Sequence, residues 1–142
     1  MNRLTFEALR FANTARLPQF KNRRGDLAHS RPDGSDWSPA QWLQAVVGEL
    51  GEFANVRKKY ERGDLSSDEY RVLAQKELAD VVTYLDILAK RCLDSPAGEA
   101  DPEGVDLGEA VMDKFNEVSD RVGARVYLQE LGETGCVGVV TF

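Results

Sequence analysis

The sequence predicts an all-α protein: a four-helix bundle organised on one antiparallel helix hairpin. Three observations predict it. Apolar residues recur at helical spacing through most of the chain. Two long helical stretches each begin at a serine capping pattern and are joined by a short turn around Gly63-Asp64. Two carboxylate pairs, Glu49 with Glu52 and Glu77 with Asp80, fall midway along those stretches, where a hairpin makes them face each other.

Taken in order, residues 2–16 read as a helix with Leu4, Ala8, Phe11 and Ala15 along one stripe, ended by Leu17-Pro18. Residues 17–37 form a long irregular stretch broken by Gly25, Pro32, Asp33 and Gly34, with Phe20 and Trp37 as aromatic anchors. A loop of that length in a small domain is usually functional or disordered, and the two anchors favour an ordered lid or pocket wall. Ser38-Pro39-Ala40-Gln41 is a helix start, with a capping serine, a proline in the first turn and a glutamine that completes a capping box. That helix runs to about Arg62, its apolar side formed by Leu43, Val46, Val47, Leu50, Phe53 and Ala54.

Ser66 and Glu69 form a second capping box. The next helix runs to about Leu93, with Leu73, Ala74, Leu78, Val81, Val82, Leu85 and Leu88 mostly inward. Residues 95–105 read as a surface loop, and a fourth helix starts near Asp106 or Leu107 and continues to Gly123. The end of the chain, Gly135 to Phe142, is apolar and strand-like. An isolated strand is not stable, so it packs on the body or pairs with another chain. The organisation expected is a single domain over 1–142, with a core at 38–123, a lid-like loop at 17–37 and a short tail at 124–142.

Composition narrows the function classes. A chain of 142 residues with 42% hydrophobic and 30% charged residues is long enough for a real core and ordinary for a soluble protein. Its net charge of -6 argues against general nucleic-acid binding, which needs a basic surface. No apolar run reaches the length of a membrane span, and the first residues lack an apolar signal core, so a cytoplasmic protein is expected. Cys92 and Cys136 fit neither a zinc pattern nor a disulfide framework and read as buried free thiols.

The four acids carry the chemistry. Helix-surface glutamates are usually accompanied by cations three or four residues on. Here those positions hold Glu52 and Phe53, Asn55 and Val56, Asp80 and Val81, and Thr83 and Tyr84. Carboxylates among apolar neighbours without partners are costly, and a bound cation removes that cost. Gly48 and Gly51 each cost about 1 kcal/mol in a helix relative to alanine, which suggests close approach by another helix or a ligand beside Glu49. Di-iron bundle sites pair their carboxylates with histidines, and the only histidine, His29, lies in the long loop. All-oxygen ligation points to Mg2+ or Mn2+.

Glu49-x-x-Glu52, followed after residues 53–76 by Glu77-x-x-Asp80, resembles the signature of the all-α nucleotide pyrophosphohydrolases, the MazG-like superfamily. That group also includes dCTP pyrophosphatases, dimeric dUTPases and phosphoribosyl-ATP pyrophosphohydrolase. The blocks from Trp42 to Glu52, from Glu77 to Asp86 and from Lys114 to Ser119 carry the resemblance, over roughly residues 38–123. The resemblance implies a MazG-like bundle and a house-cleaning hydrolase that converts a nucleoside triphosphate, dCTP-like or damaged, to the monophosphate and pyrophosphate. It implies Mg2+ held by Glu49, Glu52, Glu77 and Asp80, with Glu49 or Glu52 accepting the proton of the attacking water. It also implies Lys114 on phosphate, Asn116 on base or ribose, and Trp42, Tyr84 and His29 on the base, in a homodimer or homotetramer. A non-catalytic nucleotide-sensing or assembly module on the same fold, and a phosphoribosyl-ATP pyrophosphohydrolase-like enzyme, are the alternatives.

Overall fold

Both helices of the central hairpin start where the sequence places their caps. Ser38 Oγ accepts from the Gln41 amide while Gln41 Oε1 accepts from the Ser38 amide at 2.9 Å, and Ser66 and Glu69 repeat the exchange at 2.8 Å. These pairs satisfy amides that a helix start otherwise leaves without partners. In the computed structural model, which describes residues 4–95, 99–131 and 136–141, the helices that follow are α2 (Pro39–Glu61) and α3 (Ser67–Arg91). Gly63, at φ 81, turns the chain between them. Contacts run in reverse order along the two: Tyr60 stacks on Tyr70 near the turn, and Trp42 meets Tyr84 at the far end. The pair is therefore the expected antiparallel hairpin.

Before it comes α1 (Phe6–Arg16), capped by Thr5, whose Oγ1 accepts from the Ala8 amide, and closed by a 3₁₀ turn at Leu17–Gln19. The expected apolar stripe of α1 is not its packing face. Leu4, Ala8, Phe11 and Ala15 are exposed, and the buried residue is Asn13. The helix docks on α3 through polar groups instead. Asp86 on α3, fully buried, accepts from Arg10 Nε at 2.8 Å and from Asn13 Nδ2 at 2.9 Å. The remaining guanidinium nitrogens of Arg10 reach the carbonyls of Glu103 and Val105.

The segment before α4 follows the end of α3 closely. The Val105 amide donates to the Ala89 carbonyl, and Lys90 Nζ reaches the Pro102 carbonyl. Gly104, at φ 68, has no room for a side chain, since an added Cβ would sit 2.7 Å from the Lys90 Cα. Cys92 is exposed, its thiol donating to the Ala89 carbonyl, rather than buried as expected. The side chain of Cys136 lies outside the described residues.

The chain divides into two compact units, Met1–Val105 and Asp106–Phe142, so the expected core of 38–123 spans both. The second unit contains α4 (Leu107–Val122), β1 (Val126–Leu131) and β2 (Cys136–Thr141). Asp106 caps α4 by accepting from the amides of Gly108 and Glu109, and Gly123 at φ 69 ends it in the left-handed region. The strand-like tail pairs within its own chain: β1 and β2 form an antiparallel hairpin in register from Val126 opposite Thr141 to Leu131 opposite Cys136. Val126-Tyr127-Leu128-Gln129-Glu130-Leu131, unremarked in the sequence, supplies the partner that the tail needed. The protein is thus mostly helical with one short sheet. No helix among the described residues is long and apolar enough to cross a membrane.

Candidate metal centre and aromatic cluster

The hairpin register brings three of the four acids together. Glu49 of α2 and Glu77 and Asp80 of α3 each offer a carboxylate oxygen, and these oxygens all lie within 4.8 Å of one another. Helical spacing puts Glu77 and Asp80 one turn apart, and the antiparallel pairing sets Glu49 opposite them. Glu52, exposed, lies one turn further along α2 and outside this group. Its charge is still felt at Glu49. Among the described residues none of the four acids is held by a hydrogen bond or an ion pair, as the sequence expected from the missing helical cations.

The cluster's electrostatics follow from that lack of partners. Partial burial pushes the Glu49 carboxyl above its usual range, and the charges of Asp80, Glu77 and Glu52 push it further the same way. Three carboxyl oxygens from two rigid helices, those of Glu49 and Glu77 half-buried and that of Asp80 exposed, and without cations, form a donor set of the hard, all-oxygen type that suits Mg2+ or Mn2+. The residues present therefore fit such an ion, with Glu49, Glu77 and Asp80 as its ligands and Glu52 within reach of its field. Gly48 and Gly51 flank Glu49 with open space. A Cβ added at either meets nothing within 4 Å, so no other part of the described chain makes the expected close approach.

Beside the acids lies a cluster of aromatic rings. Residues 20–37 are ordered by two antiparallel bridges, Lys21 with Leu27 and Ser30 with Asp36, and by Asn22, whose side chain accepts from the amides of Arg24 and Asp26. This folds His29 inward. Its ring stacks on Trp42 at 5.2 Å between centroids and meets Trp37 at 4.9 Å, Phe20 at 5.6 Å and Tyr84 at 6.3 Å. Arg91 of α3 ties the loop down, donating to Asp36 at 2.7 Å. His29 is thus half-buried, and this burial holds its pKa below the ordinary histidine value despite the opposing charge of Asp36.

Trp42, expected as a stacking surface, is fully buried at the centre of this cluster, its ring in contact with His29, Trp37 and Tyr84. What remains unmet is polar. Trp42 Nε1 and His29 Nδ1 are buried without a hydrogen-bond partner in the chain. Most buried donors and acceptors find partners, so two orphans in one stacked pair are a signal. Tyr84 joins the two features. Its ring touches Trp42 and His29, and its hydroxyl pKa is raised by burial and by the charges of Glu49 and Asp80. Arg16, at the last turn of α1, sits over the Phe20 ring, and its charge acts on Tyr84 in the opposite sense. Arg16 carried no signal in the sequence beyond being a basic residue at a helix end.

The two remaining expected residues belong to the second unit. Lys114 is exposed and donates to Glu117 at 2.6 Å. Asn116 uses both ends of its amide on one backbone position of β1, accepting from the Leu128 amide at 2.8 Å and donating to its carbonyl at 2.9 Å. That side chain fastens the β-hairpin to α4 through its amide oxygen and one N–H of its amide nitrogen. No family model matches the chain, and no curated protein matches it to a significant degree.

Proposed function

We propose that this protein is a divalent-cation-dependent nucleoside triphosphate pyrophosphohydrolase of MazG-like type, releasing pyrophosphate and leaving the monophosphate. The observation that carries the reading is a carboxylate cluster without partners joined, through Tyr84, to an aromatic cluster with two unmet polar atoms. A nucleotide has both complements: a triphosphate that travels with Mg2+ and a flat base with polar edges. Glu49, Glu77 and Asp80 hold the ion in this reading. Bound there, Mg2+ supplies charge neutralisation for the triphosphate and a more acidic water.

The chain's own residues do the rest. Glu49 or Glu52 beside it takes up the water's proton in this reading. The base meets the aromatic cluster in this reading through its half-buried members, His29 and Tyr84, with the fully buried Trp42 behind them. The loop of residues 20–37 shields that end of the site from water and is held by Asp36 and Arg91. Arg16 is the nearby cation for phosphate charge.

The test is pyrophosphate release from a panel of nucleoside triphosphates, including dCTP and damaged bases, with Mg2+ and with EDTA. Turnover that needs the metal and is lost in Glu49→Gln and Asp80→Asn supports the proposal. Equal turnover in all three proteins overturns it, and stabilisation by nucleotide without product selects the non-catalytic sensing module instead.

A further inference from the structure

About two turns beyond Asp80 on α3, a cavity of about 200 Å³ opens between that helix and α1. None of the acids of the candidate metal centre and none of the clustered rings lines it. Its apolar wall is Leu17, Pro18 and Ile87, and Thr14, exposed on α1, adds a hydroxyl. Around these stand three cations, Arg10, Lys90 and Arg91, and one carboxylate, Asp86. Both oxygens of Asp86 already accept from Arg10 and Asn13, and its side chain is 1% exposed, so it does not confront a ligand.

The cations keep unused donors. Arg91 donates from Nε to Asp36 at 2.7 Å, and its two terminal nitrogens have no acceptor among the described residues. Lys90 Nζ reaches backbone carbonyls, those of Asp101 and Pro102, so no carboxylate takes its charge by direct contact. Arg10 is fixed at three points, by Asp86 and by the carbonyls of Glu103 and Val105. Lys90 and Arg91 are half-buried, which strengthens their attraction for an anion relative to cations in open water. Two carboxylates beyond the lining, Asp36 on Arg91 and Asp101 near Lys90, offset part of the positive charge. What is left suits one negative charge, not the two or three of a phosphate ester. The volume lies below the roughly 300–1,000 Å³ of pockets for drug-sized ligands, so the occupant is small. We propose that this cavity binds a small organic monocarboxylate. Its carboxylate lies on the fork of Arg91 and on Lys90, and its compact apolar body lies against Leu17, Pro18 and Ile87.

The test needs neither metal nor nucleotide, so it fails separately from the enzymatic reading. Amide spectra of the isotope-labelled full chain are followed during titration with sodium isobutyrate at constant ionic strength, with inorganic phosphate and isobutylamine run alongside. Isobutyrate is expected to shift the amides of residues 10–17 and 86–91 saturably, with a Kd on the order of 1 mM. Phosphate and the amine are expected to leave them in place. Lys90→Gln is expected to weaken isobutyrate about 10-fold, the loss of one charged hydrogen bond. Thr14→Trp, which fills the cavity from an exposed helix position, is expected to abolish binding, and both variants are expected to keep the wild-type melting temperature. Lys58→Gln removes the same charge from an exposed position on α2 and is expected to bind as the wild type does. Absence of saturable shifts up to about 50 mM isobutyrate overturns the proposal. So does an equal response to phosphate, which makes the apolar wall irrelevant, or unchanged affinity in both cavity variants. Should one variant lose its fold, the other and the wild-type ligand series decide.

Discussion

Helix α3 carries carboxylates in two opposite circumstances, two turns apart. Asp86 is the most buried acid in the described chain, and every oxygen it has is met: Arg10 on one, Asn13 on the other. Glu77 and Asp80, with Glu49 across the hairpin, are more exposed and have no partner. Burial alone therefore does not mark a functional acid. A carboxylate supplied with its own cation and amide holds helices together, whereas a group of three without any could hold a metal ion.

Substitutions separate the two regions by the property they damage. Asp86→Ala leaves the Arg10 guanidinium without its carboxylate and is expected to cost about 3 kcal/mol or more of folding stability, measured by urea denaturation. Retention of wild-type stability would show that α1 docks by other means. Glu77→Gln is expected to do the reverse, lowering Mg2+-dependent pyrophosphate release by about 100-fold or more while leaving the urea midpoint nearly unchanged. Gly104→Ala probes the carbonyl side of the Arg10 clamp. Its methyl would collide with the backbone of Lys90 and Ala89, and a loss of about 1–3 kcal/mol is expected by the same denaturation.

The smallest effect is the most specific to the acid cluster. The Glu49 carboxyl is held above its ordinary value of 4.5 by burial and by its acidic neighbours. The folded metal-free protein thus binds this proton more tightly than the unfolded chain. Glu49's contribution to stability is present below 4.5 and is lost as pH rises through the elevated value. Glu49→Gln is expected to remove that contribution and to raise metal-free stability at pH 7 by on the order of 0.5 kcal/mol. Melting curves of both proteins in EDTA from pH 4 to 8 check it, and saturating Mg2+ is expected to close the gap by favouring the wild-type carboxylate. An identical pH profile in the two proteins would show that the cluster is solvated and unstrained.

The hairpin, its two capping boxes and the acid pairs were legible in the sequence because each is set by local rules, namely spacing and cap chemistry. The α1 contact was not. Its apolar stripe pointed to Leu4 and Phe11, and the true contact joins residues 76 and 73 positions apart through hydrogen bonds that periodicity does not encode. The aromatic cluster was half legible. Phe20, His29, Trp37, Trp42 and Tyr84 each drew notice, but their convergence depends on the two bridges that fold residues 20–37. Strand β1 was missed because Gln129 and Glu130 interrupt its apolar pattern, so only pairing with β2 reveals it.

The two capping boxes have one more consequence. Glu49 lies ten residues after Pro39 and Glu77 ten residues after Ser67, so each acid is about 15 Å from a sealed helix start. Helices fray from their ends, and amides deep in a capped helix exchange with solvent only through larger openings. In deuterium exchange, the amides of residues 49–53 and 77–81 should accordingly be among the slowest of the first unit, with or without metal. The carboxylates would then be held in place before any ion arrives, so that the ion finds its ligands already spaced instead of having to order them.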